Sequence, residues 1–191
     1  VLATQVDLRD NAGTGTLVRA RLVADFPADR LAEVEASWAP WRTRGPAEHT
    51  HWDWRNKTDP AALRWLRLFA LEHEGVQGLM AVVKEPVPSR LATDAQAVYV
   101  SIVETAPWNL MPFTDAPRFS GCGKQLLYAA VAVSAELGLR GRIGLHALPQ
   151  AEAFYAHCGM TRVRVDVEYG GLVYYELVPE QVEQLRVRCG A

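Results

Sequence analysis

Apolar residues recur along this chain at two spacings, every second residue and every third or fourth, and stretches of the two kinds are interleaved. Thr16 to Phe26 (TLVRARLVADF) alternates in part and is rich in branched residues, as a half-buried strand would be. Pro27 and Asp29 then open a helix through Trp41, with Leu31, Val34, Ser37 and Trp38 on one face. Arg42 to Asn56 has no regular pattern. Asp59 and Pro60 cap and start a short helix, and Leu66 to Glu74, Gly75, then Val76 to Lys84 read as a hairpin. Glu85 to Ser89 (EPVPS) is a break, and Ala95 to Thr105 (AQAVYVSIVET) is the clearest strand in the chain.

A loop with three prolines follows, Ala106 to Pro117, and RFSGCGK, Arg118 to Lys124, leads into a helix. In Gln125 to Leu137, Leu126, Leu127, Ala130, Val133 and Leu137 keep helical spacing, and Gly138 is a stop signal. Arg142 to Leu148 reads as a short strand and Pro149 to Cys158 as a helix ended by Gly159. Thr161 to Glu168 and Leu172 to Val178 form a closing hairpin around Gly170 and Gly171, and Pro179 to Arg188 a final helix. Hairpins at both ends and a strand–helix–strand crossover between them predict an α+β fold with a mostly antiparallel sheet and a local parallel pair.

Composition narrows this further. At 191 residues the chain is long enough for one well-filled core, so a single domain, 1–191, is expected. A formal net charge of −2 argues against a broadly basic nucleic-acid surface. Cys122, Cys158 and Cys189 are odd in number and lack a C-x-x-C pair, so neither a disulfide framework nor a zinc site is suggested and a reducing cytoplasm fits best. No run approaches the roughly eighteen apolar residues of a membrane span, and a basic region followed by an apolar core is absent from the N-terminus. The expectation is a cytoplasmic, untargeted protein with no membrane association.

The segment RFSGCGK has a physical reading of its own. A helix that follows a glycine-rich loop presents unpaired N–H groups and the positive end of its dipole, which together bind anions. Gly121 and Gly123 let a phosphate approach the backbone, while Arg118, Ser120 and Lys124 add donors or charge. A glycine-rich turn with no ligand is the alternative. The spacings of a P-loop and of a dinucleotide fingerprint are absent.

With Arg118, Gly121 and Gly123 matching [RQ]-x-x-G-x-[GA] between a long strand and a long helix, the sequence resembles the GCN5-related N-acetyltransferase (GNAT) superfamily. The later RIGLHALPQAEAFYAHCGM, Arg142 to Met160, resembles that superfamily's strand, helix with an F-Y pair, and G-[FM] ending; the likeness covers roughly residues 16 to 178. It implies a central, splayed, mostly antiparallel sheet of six to seven strands flanked by helices. It also implies acetyl-coenzyme A as cosubstrate, its pyrophosphate on the loop of Arg118, Phe119, Ser120, Gly121, Cys122, Gly123 and Lys124 and its pantetheine arm along Ala95 to Thr105. Thr105 is the expected backbone donor near the thioester carbonyl. Two departures stand out: the loop from Ala106 to Pro117 is long, and Leu148 replaces an asparagine often found there, whose cofactor contact Asn109 could supply. Trp108, Met111 and Phe113 either wall the site or pack under that loop.

Tyr155 matches the tyrosine that commonly serves as general acid in the superfamily, the other reading being an aromatic packing residue beside Phe154. Glu104 and His146 are the candidate bases, each with a structural alternative, and proximity alone supplies much of such an aminolysis. In HTHWDWRNK, His49 to Lys57, a third metal ligand at a recognised spacing is missing, so no metal is expected. Trp52, Asp53 and Trp54, with Trp108 and Asn109, are instead candidate contacts to the acceptor, or parts of a loop pinned by buried tryptophans. Two functions follow: an acyltransferase acting on an amine-bearing small molecule, peptide or protein, or a coenzyme A sensor without turnover. Nucleic acid is not favoured as a partner, and a homodimer is compatible with either.

Overall fold

The computed structural model describes residues 4–12 and 15–189. They fall into two compact units, one of residues 4–81 with 102–126 and one of residues 82–101 with 127–189. Three elements contribute residues to both, the strands Val76–Val83 and Gln96–Thr105 and the helix Cys122–Glu136.

In the first unit the strands β1 (Gln5–Asp10) and β2 (Leu17–Ala24) pair antiparallel, Val6 opposite Ala20, and β2 pairs with β3 (Leu66–Glu72), Leu22 opposite Leu71. Alternation decides their faces: Ala20 and Leu22 point into the core and Arg19 and Arg21 stay outside. β4 (Val76–Val83) is buried along nearly its whole length, as expected of a strand covered on both faces. The helix α1 (Leu31–Arg42) buries Leu31, Val34 and Trp38, the stripe its spacing predicts. The irregular stretch after it contains a one-turn helix, α2 (Trp54–Lys57), whose N-cap Asp53 accepts from the Arg55 N–H.

In the second unit the two-residue β5 (Val87–Pro88) lies on the start of β6 (Gln96–Thr105), and β6 runs parallel to β8 (Ile143–Ala147). β10 (Leu172–Leu177) pairs antiparallel with β8 and with β9 (Thr161–Asp166). α4 (Glu152–His157) follows β8, and α5 (Val182–Cys189) follows β10. The hydrogen-bonded order, with β7 (Phe119–Ser120) at one end, is β7-β1-β2-β3-β4-β6-β8-β10-β9. α3 (Cys122–Glu136) makes the crossover between the parallel strands β6 and β8. The α+β class with a mostly antiparallel, open sheet is therefore as the pattern predicts. The sheet is larger than the six to seven strands expected, because β1 and the two-residue β5 and β7 are too short or too polar to carry a periodicity signal.

The first unit is built around a buried ionic cluster. Arg42, at the C-terminal end of α1, donates from Nε and Nη2 to Glu104 at 3.1 and 3.0 Å, and from Nη1 to Glu35 at 2.6 Å and to the Trp52 carbonyl at 2.8 Å. The Trp54 indole N–H donates to Glu104 at 2.6 Å and the Trp54 backbone N–H to Glu35 at 2.8 Å. α1, α2 and the end of β6 are thus tied through one planar fork. Gly45, just beyond α1, lies so close to the Ala106–Pro117 loop that an added Cβ would sit 1.5 Å from the Pro112 carbonyl oxygen.

Two outcomes follow for stability. Arg42→Met strands two buried carboxylates, so it should destabilise the fold by about 3–5 kcal/mol in a urea titration. Gly45→Ala should cost about 1–3 kcal/mol or more, because backbone, not a flexible side-chain tip, blocks the new methyl; an unchanged unfolding midpoint would contradict the close approach.

Candidate active site

The anion-loop segment belongs to the first unit. Phe119 and Ser120 form β7 against Asp10 and Arg9 of β1, and Gly121, at φ +96, turns the chain directly into α3. A residue with a Cβ is strained at that angle, although open space would receive the side chain itself. The Gln125 N–H donates to the Gly121 carbonyl at 3.0 Å, so the N–H groups of Cys122, Gly123 and Lys124 precede the first intrahelical bond and point out of the helix end. Around them Arg118 pairs with exposed Glu74 and covers the Phe119 ring, and Ser120 exchanges hydrogen bonds with Asn11.

The loop is held from beneath by a side chain expected on its surface. Asn109 is buried; its Oδ1 accepts from the Phe119 N–H at 2.9 Å and its Nδ2 donates to Gln77 at 3.0 Å. Trp108 donates to the same Gln77 oxygen at 2.8 Å and meets the rings of Trp38 and Trp41 edge-on. Phe113 is buried against His49, whereas Met111 is exposed, so of the three apolar loop residues two pack beneath the loop. The thiol of Cys122 is buried, which pushes its pKa up to about 12. Cys158 is buried as well, and the side chain of Cys189 lies outside the described residues.

The candidate acceptor residues separate. Trp54 is 0% exposed and belongs to the ionic cluster, a correction to its expected place on a substrate face. Asp53 is engaged by Arg55, whose guanidinium holds its carboxyl below the usual range. Trp52 is half-buried, with the Lys57 ammonium over its ring at 4.6 Å. Thr105 is half-buried at the end of β6. Glu104, one residue earlier, has both oxygens occupied by Arg42 and Trp54 and a side chain 1% exposed, which leaves no open position for an incoming amine. Burial pushes its carboxyl up to about 7, against the pull of Arg42 and the indole N–H. His49, 3.7 Å from that carboxylate, is lowered to about 4 by burial and by Arg42, and so is neutral at pH 7.

His146 and Tyr155 belong to the second unit. Tyr155 is buried on α4 against Phe154 and Tyr175, and burial raises its hydroxyl pKa. His146 on β8 is 2.7 Å from the Tyr99 hydroxyl through Nδ1 and 3.2 Å from Asp166 through Nε2, and it stacks on Tyr169. The parallel register of β6 and β8 runs from Val98 with Ile143 to Val100 with Leu145, while β6 continues to Thr105.

Sequence reasoning passed over Glu35, Arg42, Gln77, Tyr99 and Asp166. Glu35 and Arg42, seven apart on the α1 stripe of Leu31, Val34 and Trp38, gave a usable signal: two charges on a buried helix face imply a partner. Tyr99 and Asp166 gave none, because only strand register joins them to His146. Among the described residues no three His, Cys, Asp or Glu side chains are grouped to hold a metal ion, and no helix is long and apolar enough to cross a membrane.

No protein-family model matches the sequence, and neither does any curated protein. Solved structures do match. An N-acetyltransferase, PaiA of Thermoplasma acidophilum in complex with coenzyme A, is 14% identical with a TM-score of 0.54 over 82% of this chain and 97% of that one. A GNAT-family acetyltransferase of Listeria monocytogenes is 17% identical with a TM-score of 0.52 over 91% and 98%. AtaTR bound with acetyl-coenzyme A is 12% identical with a TM-score of 0.54 over 87% and 97%. At these identities the likeness is one of architecture: this chain has the fold of the GNAT acetyltransferases.

Proposed function

We propose that this chain is an N-acetyltransferase that moves an acetyl, or another short acyl, group from coenzyme A to a primary amine by direct attack on the thioester. The observation that carries this reading is the Gly121 turn, which delivers β7 into the N-terminus of α3 in a fold whose solved relatives include complexes with coenzyme A and acetyl-coenzyme A. In this reading the pyrophosphate accepts from the N–H groups of Cys122, Gly123 and Lys124. The Arg118–Glu74 pair is exposed on both sides, so it is worth little and a diphosphate can compete for the guanidinium. The pantetheine arm follows β6 toward Thr105, whose backbone N–H serves the thioester oxyanion.

Tyr155 is the donor to the departing sulfur. Its raised pKa keeps it protonated at neutral pH, so it acts as a hydrogen-bond donor to the forming thiolate. Glu104 is a positioning residue in this scheme, holding the end of β6 to α1 and α2, and Asn109 holds the anion loop. Trp52 is the aromatic contact for the acceptor, an amine-bearing small molecule, peptide or protein. Holding thioester and amine together supplies about 7–11 kcal/mol of the barrier, more than any one proton transfer.

Calorimetry with coenzyme A and thiol release with a panel of amines test the reading together. Gly121→Val should weaken coenzyme A binding about tenfold or more, since strain at a positive φ costs about 1–3 kcal/mol. Tyr155→Phe should lower kcat by about a hundredfold and leave coenzyme A affinity unchanged. Tight binding with no thiol release for any acceptor would make the chain a sensor, and no binding at all would remove the proposal.

A further inference from the structure

The acetyl-transfer reading gives Trp52 the contact with the acceptor and leaves without a role the residue that lies on its ring, Lys57. The indole is a fixed platform. The Trp52 backbone carbonyl accepts from Arg42 at 2.8 Å, the backbone N–H donates to the His49 carbonyl at 3.0 Å, and the ring meets the His49 ring with centroids 5.5 Å apart. Lys57, the last residue of α2, is half-buried and holds its ammonium 4.6 Å from the centre of the Trp52 ring. All of these residues belong to the first unit.

The carboxylates that α2 and its cap engage are already bound by other cations. Asp53 is held by Arg55 at 2.7 and 3.1 Å, while Glu35 and Glu104, which accept from Trp54, are held by Arg42. Among the described residues no acid lies within ion-pair distance of Lys57 Nζ. Burial lowers the lysine pKa, and the Glu104 carboxylate, farther off, opposes that shift. The indole face favours the charged form as well. An ammonium partly withdrawn from water attracts an anion more strongly than one on an open surface, and a stem already ordered on an indole loses little freedom when it pairs. A second cation is repelled from the same face.

We infer that Lys57 is a specificity-determining residue, which pairs with a carboxylate carried by the same acceptor whose amine is acylated. The inference rests on the acetyl-transfer reading and on Trp52 as the acceptor contact within it. The acceptor class is then an amino acid or a short peptide, with its carboxylate on the Trp52–Lys57 pair and its amine directed away from that cation. Arg55, two residues earlier, does not take this part, because Asp53 occupies its guanidinium. One ammonium matches one carboxylate and not a chain of phosphates, which agrees with the formal net charge of −2. Polyamines, whose remaining charges are all positive, are disfavoured by the same repulsion.

Paired acceptors test the assignment: glycine, β-alanine and glycylglycine, each beside its carboxamide, in transfer from acetyl-coenzyme A. The measured quantity is the ratio of kcat/KM for acid and amide, and comparing that ratio between proteins cancels the different basicities of the paired amines. Lys57→Met should lower the ratio about tenfold, chiefly through KM for the acid, and Lys57→Glu about a hundredfold, as when a hydrogen bond between charged groups is removed or reversed. Lys57→Arg should keep it within about threefold of wild type. Added salt should lower the wild-type ratio and leave that of Lys57→Met unchanged, because only an ion pair is screened. A role confined to packing on Trp52 would move acid and amide together and leave the ratio where it was. A ratio within about threefold of wild type in both Lys57→Met and Lys57→Glu would overturn the assignment while acetyl transfer stands. So would a wild type that acylates the amides and none of the acids. A wild type that acylates no amine at all would overturn both.

Discussion

One guanidinium lies between two buried carboxylates, and the arrangement of helices in the first unit depends on it. Arg42 reaches Glu104 through two donors and Glu35 through a third. Such a cluster is a poor source of net stability, because removing three charges from water costs nearly as much as their attraction returns. It is a strong source of specificity. Any shift of α1 against the end of β6 leaves a charge unpaired, so the helix has one allowed position. Trp54 adds to this constraint by donating to both carboxylates, one from its ring and one from its backbone.

That constraint extends through the end of β6 to the Gly121 turn. Its last residues lead into the loop that carries Trp108 and Asn109, and Asn109 fixes the Phe119 amide immediately before the Gly121 turn. A donor array at a helix end is useful to an anion only if it stays in place, and Asn109, Gln77 and Trp108 form the hydrogen-bonded floor that keeps it so. The long Ala106–Pro117 loop thereby becomes part of the support for the Gly121 turn.

The second unit uses buried charge differently. Arg142 and Ser89 satisfy Glu176, while Arg90 satisfies Asp166, and these pairs surround the aromatic residues on one face of β6, β8 and β10. In the Glu35–Arg42–Glu104 cluster each carboxylate is bound to a permanent cation. Around His146, by contrast, the chain of contacts ends on a neutral hydroxyl, Tyr99, which can both give and receive a proton. Glu104 is bound by Arg42 and Trp54, and His146 lies between Tyr99 and Asp166, so the two groups differ in their hydrogen-bond partners and not in burial.

Local sequence determined the element types and their order: alternation for β2 and β6, the apolar stripe for α1, glycine stops for α3 and α4, and the glycine turn that precedes α3. These are properties of nearby residues and need no knowledge of the rest of the chain. Tertiary structure alone decided which polar residues are structural. Trp54 and Asn109 look like surface contacts in sequence and are buried, because their partners, Glu104 and Gln77, lie fifty and thirty-two residues away. It also joined Tyr99, His146 and Asp166, three residues on three strands whose meeting depends on register, and register is set by long-range packing that no local pattern encodes.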